Sequence, residues 1–127
     1  MEVDQTLDVT TTVARRAGFD AMADLLGMQI PPSAVFCYND VLAYGAMLQL
    51  RSRGIEIGKE VAIAGFDDLE ESSLWSPSLT SVALDRPRLV QQAFCTLTDV
   101  TMEDGQVNIA ISPSVVLRNS TQLWSIE

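Results

Sequence analysis

Between residues 12 and 28 apolar residues return at helical spacing, at Val13, Ala17, Ala21, Leu25 and Met28, which predicts an amphipathic helix. The threonines at 10–12 can supply its N-cap. Ile30-Pro31-Pro32 ends it, because the residue before a proline is driven out of the helical region. The pattern then changes. Ala34–Tyr38 is a short, continuously apolar run, the mark of a strand buried on both faces in a parallel sheet. Asn39-Asp40 follows, and either side chain can cap a helix. Residues 41–53 return to helical spacing with Leu42, Ala43, Ala46, Met47 and Leu50. Arg51 and Arg53 fall in the last turn, where the helix dipole favours cations, and Gly54 suits the C′ position.

Val61–Phe66 is a second buried-type strand. Asp67–Ser73 turns into a short helix, which Ser76-Pro77-Ser78 breaks. Leu79–Leu84 alternates as a third strand. Arg86-Pro87 opens another helix, since proline is tolerated in a first turn. That helix carries Leu89, Val90, Ala93, Phe94, Leu97 and Val100, and ends near Glu103-Asp104-Gly105. Val107–Ile111 and Val115–Leu117 are further strand candidates, and residues 1–9 read as a strand fragment or an unpaired tail. The predicted order is α-β-α-β-(α)-β-α-β. That alternation, with continuously apolar strands, predicts the α/β class: an open, mostly parallel sheet with helices on both faces. Ligands of such sheets bind outside the carboxyl ends of the strands. Asn39 and Asp67-Asp68 fall there.

Composition narrows the chemistry. The 127 residues are 47% apolar and 20% charged, with 8 basic and 17 acidic residues, a net charge of −9 and no histidine. The apolar share is too high for a disordered chain, and one domain suits the length. No apolar run is long enough to span a membrane, and the acidic start lacks the pattern of a signal peptide. Without histidine there is no Ser-His-Asp triad, His-paired cysteine or His-containing metal site. Cys37 and Cys95 lie in apolar runs and read as buried free thiols, which suits a reducing, cytoplasmic compartment. The acidity argues against nucleic-acid contact by this chain. No Gly-rich phosphate loop or cysteine-based metal spacing is present, so no cofactor and no metal are expected.

Each polar candidate has two readings. Asn39-Asp40 caps a helix, or Asp40 caps while Asn39 faces a cleft, where a carboxamide offers donors and an acceptor. Asp67-Asp68 caps the short helix, or a carboxylate there accepts two hydroxyl hydrogens of a sugar diol. A catalytic carboxylate dyad is weak, because neighbours on an extended chain point to opposite sides. Tyr44, Leu74 and Trp75 pack in a core or form a subunit interface.

Four segments occur in family order and spacing: Asn39-Asp-Val-Leu-Ala-Tyr-Gly45, Val61-Ala-Ile-Ala-Gly-Phe-Asp-Asp68, Ser76-Pro-Ser-Leu-Thr-Ser-Val82 and Val115-Val-Leu-Arg-Asn-Ser-Thr121. On these the chain resembles the C-terminal part of a LacI/GalR-type transcriptional regulator, from about residue 17 to 121. The resemblance implies an effector domain of two α/β lobes, built like periplasmic sugar-binding proteins, with a ligand cleft between them. It implies that this chain is a partial effector-binding and dimerisation domain over residues 1–127, mostly the C-terminal lobe. Residues of about 85–104 would belong to the N-terminal lobe, and the helix-turn-helix would lie before Met1.

By matching motif, Asn39 and Asp67 take positions that contact effector, and Asp85 matches a cleft residue. Val13 falls where many members carry a stacking aromatic, so that platform is missing here, which argues against a standard hexose. Arg86 stands where the lactose repressor has an aromatic, and an arginine there favours an anionic effector. The helix from Asp40 and the short helix with Leu74 and Trp75 match the dimer surface. The expected partners are a small-molecule effector, of carbohydrate type, and a second copy of the chain. DNA is contacted only through the missing domain, and no membrane is involved. A periplasmic sugar-binding protein of a transport system is the alternative. Against it stand the double Asp67-Asp68, the Pro77–Ser81 stretch and the ending Arg118-Asn-Ser-Thr121. An enzyme is disfavoured by the missing histidine and nucleophile constellation.

Overall fold

The computed structural model describes residues 8–98 and 109–122. Four helices and four strands follow in the order α1 (Arg15–Leu26), β1 (Ala34–Phe36), α2 (Asp40–Ser52), β2 (Ala62–Phe66), α3 (Glu70–Leu74), β3 (Thr80–Ala83), α4 (Arg86–Thr98) and β4 (Ser114–Val116), then a short 3₁₀ turn at Asn119–Thr121. The strands form one sheet in the order β1-β2-β3-β4. The first three are parallel, with Ala34 opposite Ala62 and Ala64 opposite Thr80. β4 is antiparallel to β3, with Ser81 opposite Val116. The mostly parallel α/β sheet expected from the alternation is present. Of the Val107–Ile111 candidate, residues 107–108 lie outside the described residues and 109–111 form no strand.

The core sits between α1, α2 and the sheet. Met22, Ala43, Tyr44, Met47, Leu50, Ile63 and Leu79 are essentially inaccessible. Two glycines let the helices touch at backbone distance. A Cβ on Gly45 would lie 2.0 Å from the Arg15 carbonyl oxygen, and one on Gly18 2.2 Å from that of Leu42. No side chain fits either place.

Several local expectations need correction. The threonines at 10–12 do not cap α1; its N-cap is Ala14, with no side-chain bond. β1 is not buried on both faces. Val35 and Cys37 pack against the core, while Phe36 and Tyr38 are 63% and 76% exposed. Side chains alternate along a strand, and among the described residues only one face of β1 is covered. Cys95 is exposed, not buried, because α4 has no buried residue at all. Both cysteines are free, as expected.

Candidate functional site

β1, β2 and β3 run in one direction, so Asn39, Asp67 and Asp85-Arg86 all follow carboxyl ends at one edge of the sheet. The chain after β2 is unusual there. Asp67 has φ 107° and Asp68 φ 47°, both positive for non-glycine residues. Such conformations cost on the order of 1–3 kcal/mol each and persist where the surroundings over-determine them.

The surroundings do so. The Asp67 amide donates to the Val82 carbonyl at 2.9 Å. Arg86 donates to the Asp67 carbonyl at 2.5 Å and lies 4.0 Å from its carboxylate. The Asp68 amide donates to Ser81 Oγ at 3.0 Å. The Asp68 carboxylate accepts from Arg118 at 2.7 Å, and Arg118 also donates to the Leu79 carbonyl at 2.7 Å. Asp68 is therefore not the cap of α3, whose N-cap is Leu69. With Asp68 engaged, Asp67 is the carboxylate that remains partly open, its side chain 38% exposed.

Of the two readings at 39–40, helix capping holds, and the side chain that caps is Asn39 rather than Asp40. Asn39 is the N-cap of α2, its Oδ1 accepting from the Leu42 amide at 3.0 Å. That leaves its NH₂ as the group able to address a ligand. Asp40 is fully buried. It accepts from the Leu69 amide (2.8 Å), Ser72 Oγ (2.6 Å) and Ser81 Oγ (2.5 Å). Asp85 caps α4, accepting from the Arg88 amide at 3.1 Å.

The edge thus joins Asp67 and Arg86 directly, with Asp85 beside Arg86 in sequence. Val13 lies just before α1 and is 59% exposed. The residues that sequence reasoning missed are Asp40, Ser81 and Arg118, which hold the loop. Their signal was present, since each lies in a segment that carried the resemblance, but a buried hydrogen-bond partner forty residues away leaves no local pattern.

Of the three interface candidates, Tyr44 must be corrected. It is fully buried, hydrogen-bonded to Ser72 Oγ at 2.7 Å and stacked on Trp75 with ring centroids 5.1 Å apart and planes 5° from parallel. Because the Ser72 hydrogen goes to Asp40, the Tyr44 hydroxyl is the donor to Ser72. Burial pushes the Tyr44 pKa up. Arg15 covers the stack, 5.4 Å from the Tyr44 ring, and pairs with Glu71 at 2.9 Å. Leu74 is 77% exposed beside it. Cys37 lines a cavity of about 130 Å³ between α1, α2 and β1, together with Asp8, Thr11, Met22 and Leu25. Burial, then the charge of Asp40, pushes its thiol to about 12. No cluster able to hold a metal ion occurs among the described residues, and no helix there is long and apolar enough to cross a membrane.

This arrangement offers hydroxyl-accepting and anion-binding groups on one edge. Comparison with known proteins agrees with a binding role. The periplasmic binding protein-like domain matches residues 2–121. The HTH-type transcriptional repressor PurR of Haemophilus influenzae is 34% identical over 110 residues, covering 83% of this chain and 33% of the repressor. A LacI-family transcriptional regulator from Sanguibacter keddieii superposes with a TM-score of 0.81 at 35% identity, covering 94% of this chain and 46% of that one. A LacI-family regulator from Enterococcus faecium with bound ribose gives a TM-score of 0.76 at 26% identity, covering 87% and 41%. The chain spans about a third of the length of the curated repressor it matches. It belongs to the periplasmic binding protein-like domain family, in the form found in LacI-family transcriptional regulators.

Proposed function

We propose that the chain is the effector-binding and dimerisation part of a bacterial transcriptional regulator, contributing one wall of a ligand cleft. The observation that carries this is the Asp67–Arg86 pair on a strained, fully braced turn at the carboxyl edge of the sheet. Strain held in place at a strand end is a feature of ligand sites. Asn39 offers its amide from the neighbouring strand end, and Asp85 holds the start of the helix that presents Arg86. Val13 supplies no aromatic platform. The effector class that fits is a carbohydrate or related polyol bearing an acceptor or anionic group: hydroxyls go to Asp67, the acceptor to Arg86. The ribose-bound relative supports a small carbohydrate.

The mechanism is closure of two lobes around the effector, which shifts dimer geometry and so the spacing of DNA-binding heads. DNA contact belongs to a domain outside this chain, as the HTH-type relatives suggest, and a regulator of this kind works in the cytoplasm. The relatives are repressors rather than transport proteins or enzymes. α4 supports the assignment of residues of about 85–104 to the other lobe. It buries no residue, and leaves Leu89, Val90, Phe94 and Leu97 48–86% exposed. Self-association through Leu74 and Trp75 fits the exposure of Leu74 next to the half-buried Trp75 and the Arg15–Glu71 pair.

The test is affinity. With half of the cleft absent, calorimetry on this chain should find sugars binding no tighter than about 1 mM, or roughly −4 kcal/mol; a micromolar titration would overturn the half-cleft reading. In the complete regulator, Arg86→Ala should weaken a sugar phosphate more than the parent sugar. Equal loss for both would remove Arg86 as the anion-selecting group. Light scattering that finds only monomer at high micromolar concentration would count against the Leu74–Trp75 surface.

A further inference from the structure

Asp40 is an ionisable side chain that takes three hydrogen bonds behind the site. Its carboxylate is wholly out of solvent. Its partners are neutral, one backbone amide and two hydroxyls. A buried charge is costly unless it is fully hydrogen-bonded. The fold makes room for it deliberately: a Cβ on Gly65 would come within 2.3 Å of Asp40 Oδ1. Every partner lies on the ligand edge or on α3. Oδ2 fixes the Leu69 amide, immediately after the strained pair. Oδ1 takes the single hydrogen of Ser81, which forces the Ser81 lone pair toward the Asp68 amide. Two successive amides after Asp67 are thus anchored, directly or through one hydroxyl, to a single carboxylate. The second hydroxyl, Ser72, continues from that carboxylate to Tyr44 and its stack with Trp75.

We propose that Asp40 is the positioning residue of the ligand edge. It holds Asp67 and Asp68 in their positive-φ conformations through Leu69 and Ser81, so that the Asp67 carboxylate is aimed before ligand arrives. Its contact with Ser72 makes the same carboxylate the joint between that edge and α3. The functional half of this inference rests on the reading of Asp67 as a ligand group; the positional half does not.

Amide hydrogen exchange followed by NMR on the full 127-residue chain tests it, with Asp40→Asn, Ser81→Ala and Ser72→Ala. Asp40→Asn should speed exchange at Asp68 and Leu69 by roughly ten- to hundredfold, with the Leu50 and Ile63 amides unchanged. Ser81→Ala should reproduce the effect at Asp68 alone, and decides the matter if Asp40→Asn does not fold. Ser72→Ala should loosen α3 and leave Asp68 protected. Parental exchange at Asp68 and Leu69 in both loop variants overturns the proposal. So does an equal acceleration at Ile63, which would make Asp40 a general stability residue. Asp67→Asn separates the positional role of Asp40 from the ligand role of Asp67. It should keep the amide pattern while abolishing the effector response of the complete regulator. An intact response would overturn the ligand reading of Asp67 and leave the positional role of Asp40 standing.

Discussion

α2 and α4 are both 13 residues long, and both carry apolar residues at helical spacing. Their fates differ completely. α2 buries nine residues, including Tyr44, Met47 and Leu50, while α4 buries none. An apolar stripe states that a helix has a face to cover; it does not state what covers it. Around α2 the covering is supplied by glycine contacts with α1 and by the sheet. Among the described residues, the hydrogen bonds that hold α4 in place are at its start, where Asp85 caps it and Arg86 bonds back to Asp67. One helix organises the lobe, and the other is tethered at its start and otherwise unengaged among the described residues.

The sharpest way to break this contrast is truncation. Leu50→Ala in α2 should cost about 2–5 kcal/mol in urea denaturation, whereas Leu97→Ala in α4 should stay within about 0.5 kcal/mol. Comparable losses would mean that α4 packs on this lobe after all. The cysteines give the next test, one from each region. Cys95 on α4 should be alkylated rapidly at pH 8, and Cys37 more slowly by roughly a hundredfold; Cys95→Ser should abolish the fast phase. The raised Cys37 thiol also fixes a sign. The folded state keeps its proton above the pH at which the unfolded chain loses it. Stability from this group is therefore complete below about pH 8.5 and is lost as pH rises toward about 12. Cys37→Ser should flatten that alkaline decline in denaturation curves. The smallest effect expected is at the α2–α3 joint: Tyr44→Phe removes one buried hydrogen bond and should cost about 1 kcal/mol.

The same contrast explains what was legible in the sequence. Element order and the parallel sheet follow from apolar periodicity, which is local. Asn39 and Asp67 were visible because topology alone places strand ends at one edge, whereas Arg86 was singled out only by the family resemblance. The roles of Asp40, Ser81 and Arg118 were not, since each depends on partners 29–50 residues away. Tyr44 was left between a core and a subunit-interface reading because an aromatic on a helix face looks the same whether the face meets solvent, a neighbour or its own core. The exposed Phe36 and Tyr38 show the converse: a continuously apolar run does not reveal that one side of its strand is open.

On the proposed function, the braced turn at Asp67 is half of an effector site. Calorimetric titration of the complete regulator with pentoses, hexoses and their phosphates, in parent and Asp67→Asn forms, tests it most directly. One of these classes should bind the parent at micromolar concentration, and Asp67→Asn should weaken it by roughly a hundredfold. Equal affinity in the two forms would contradict it.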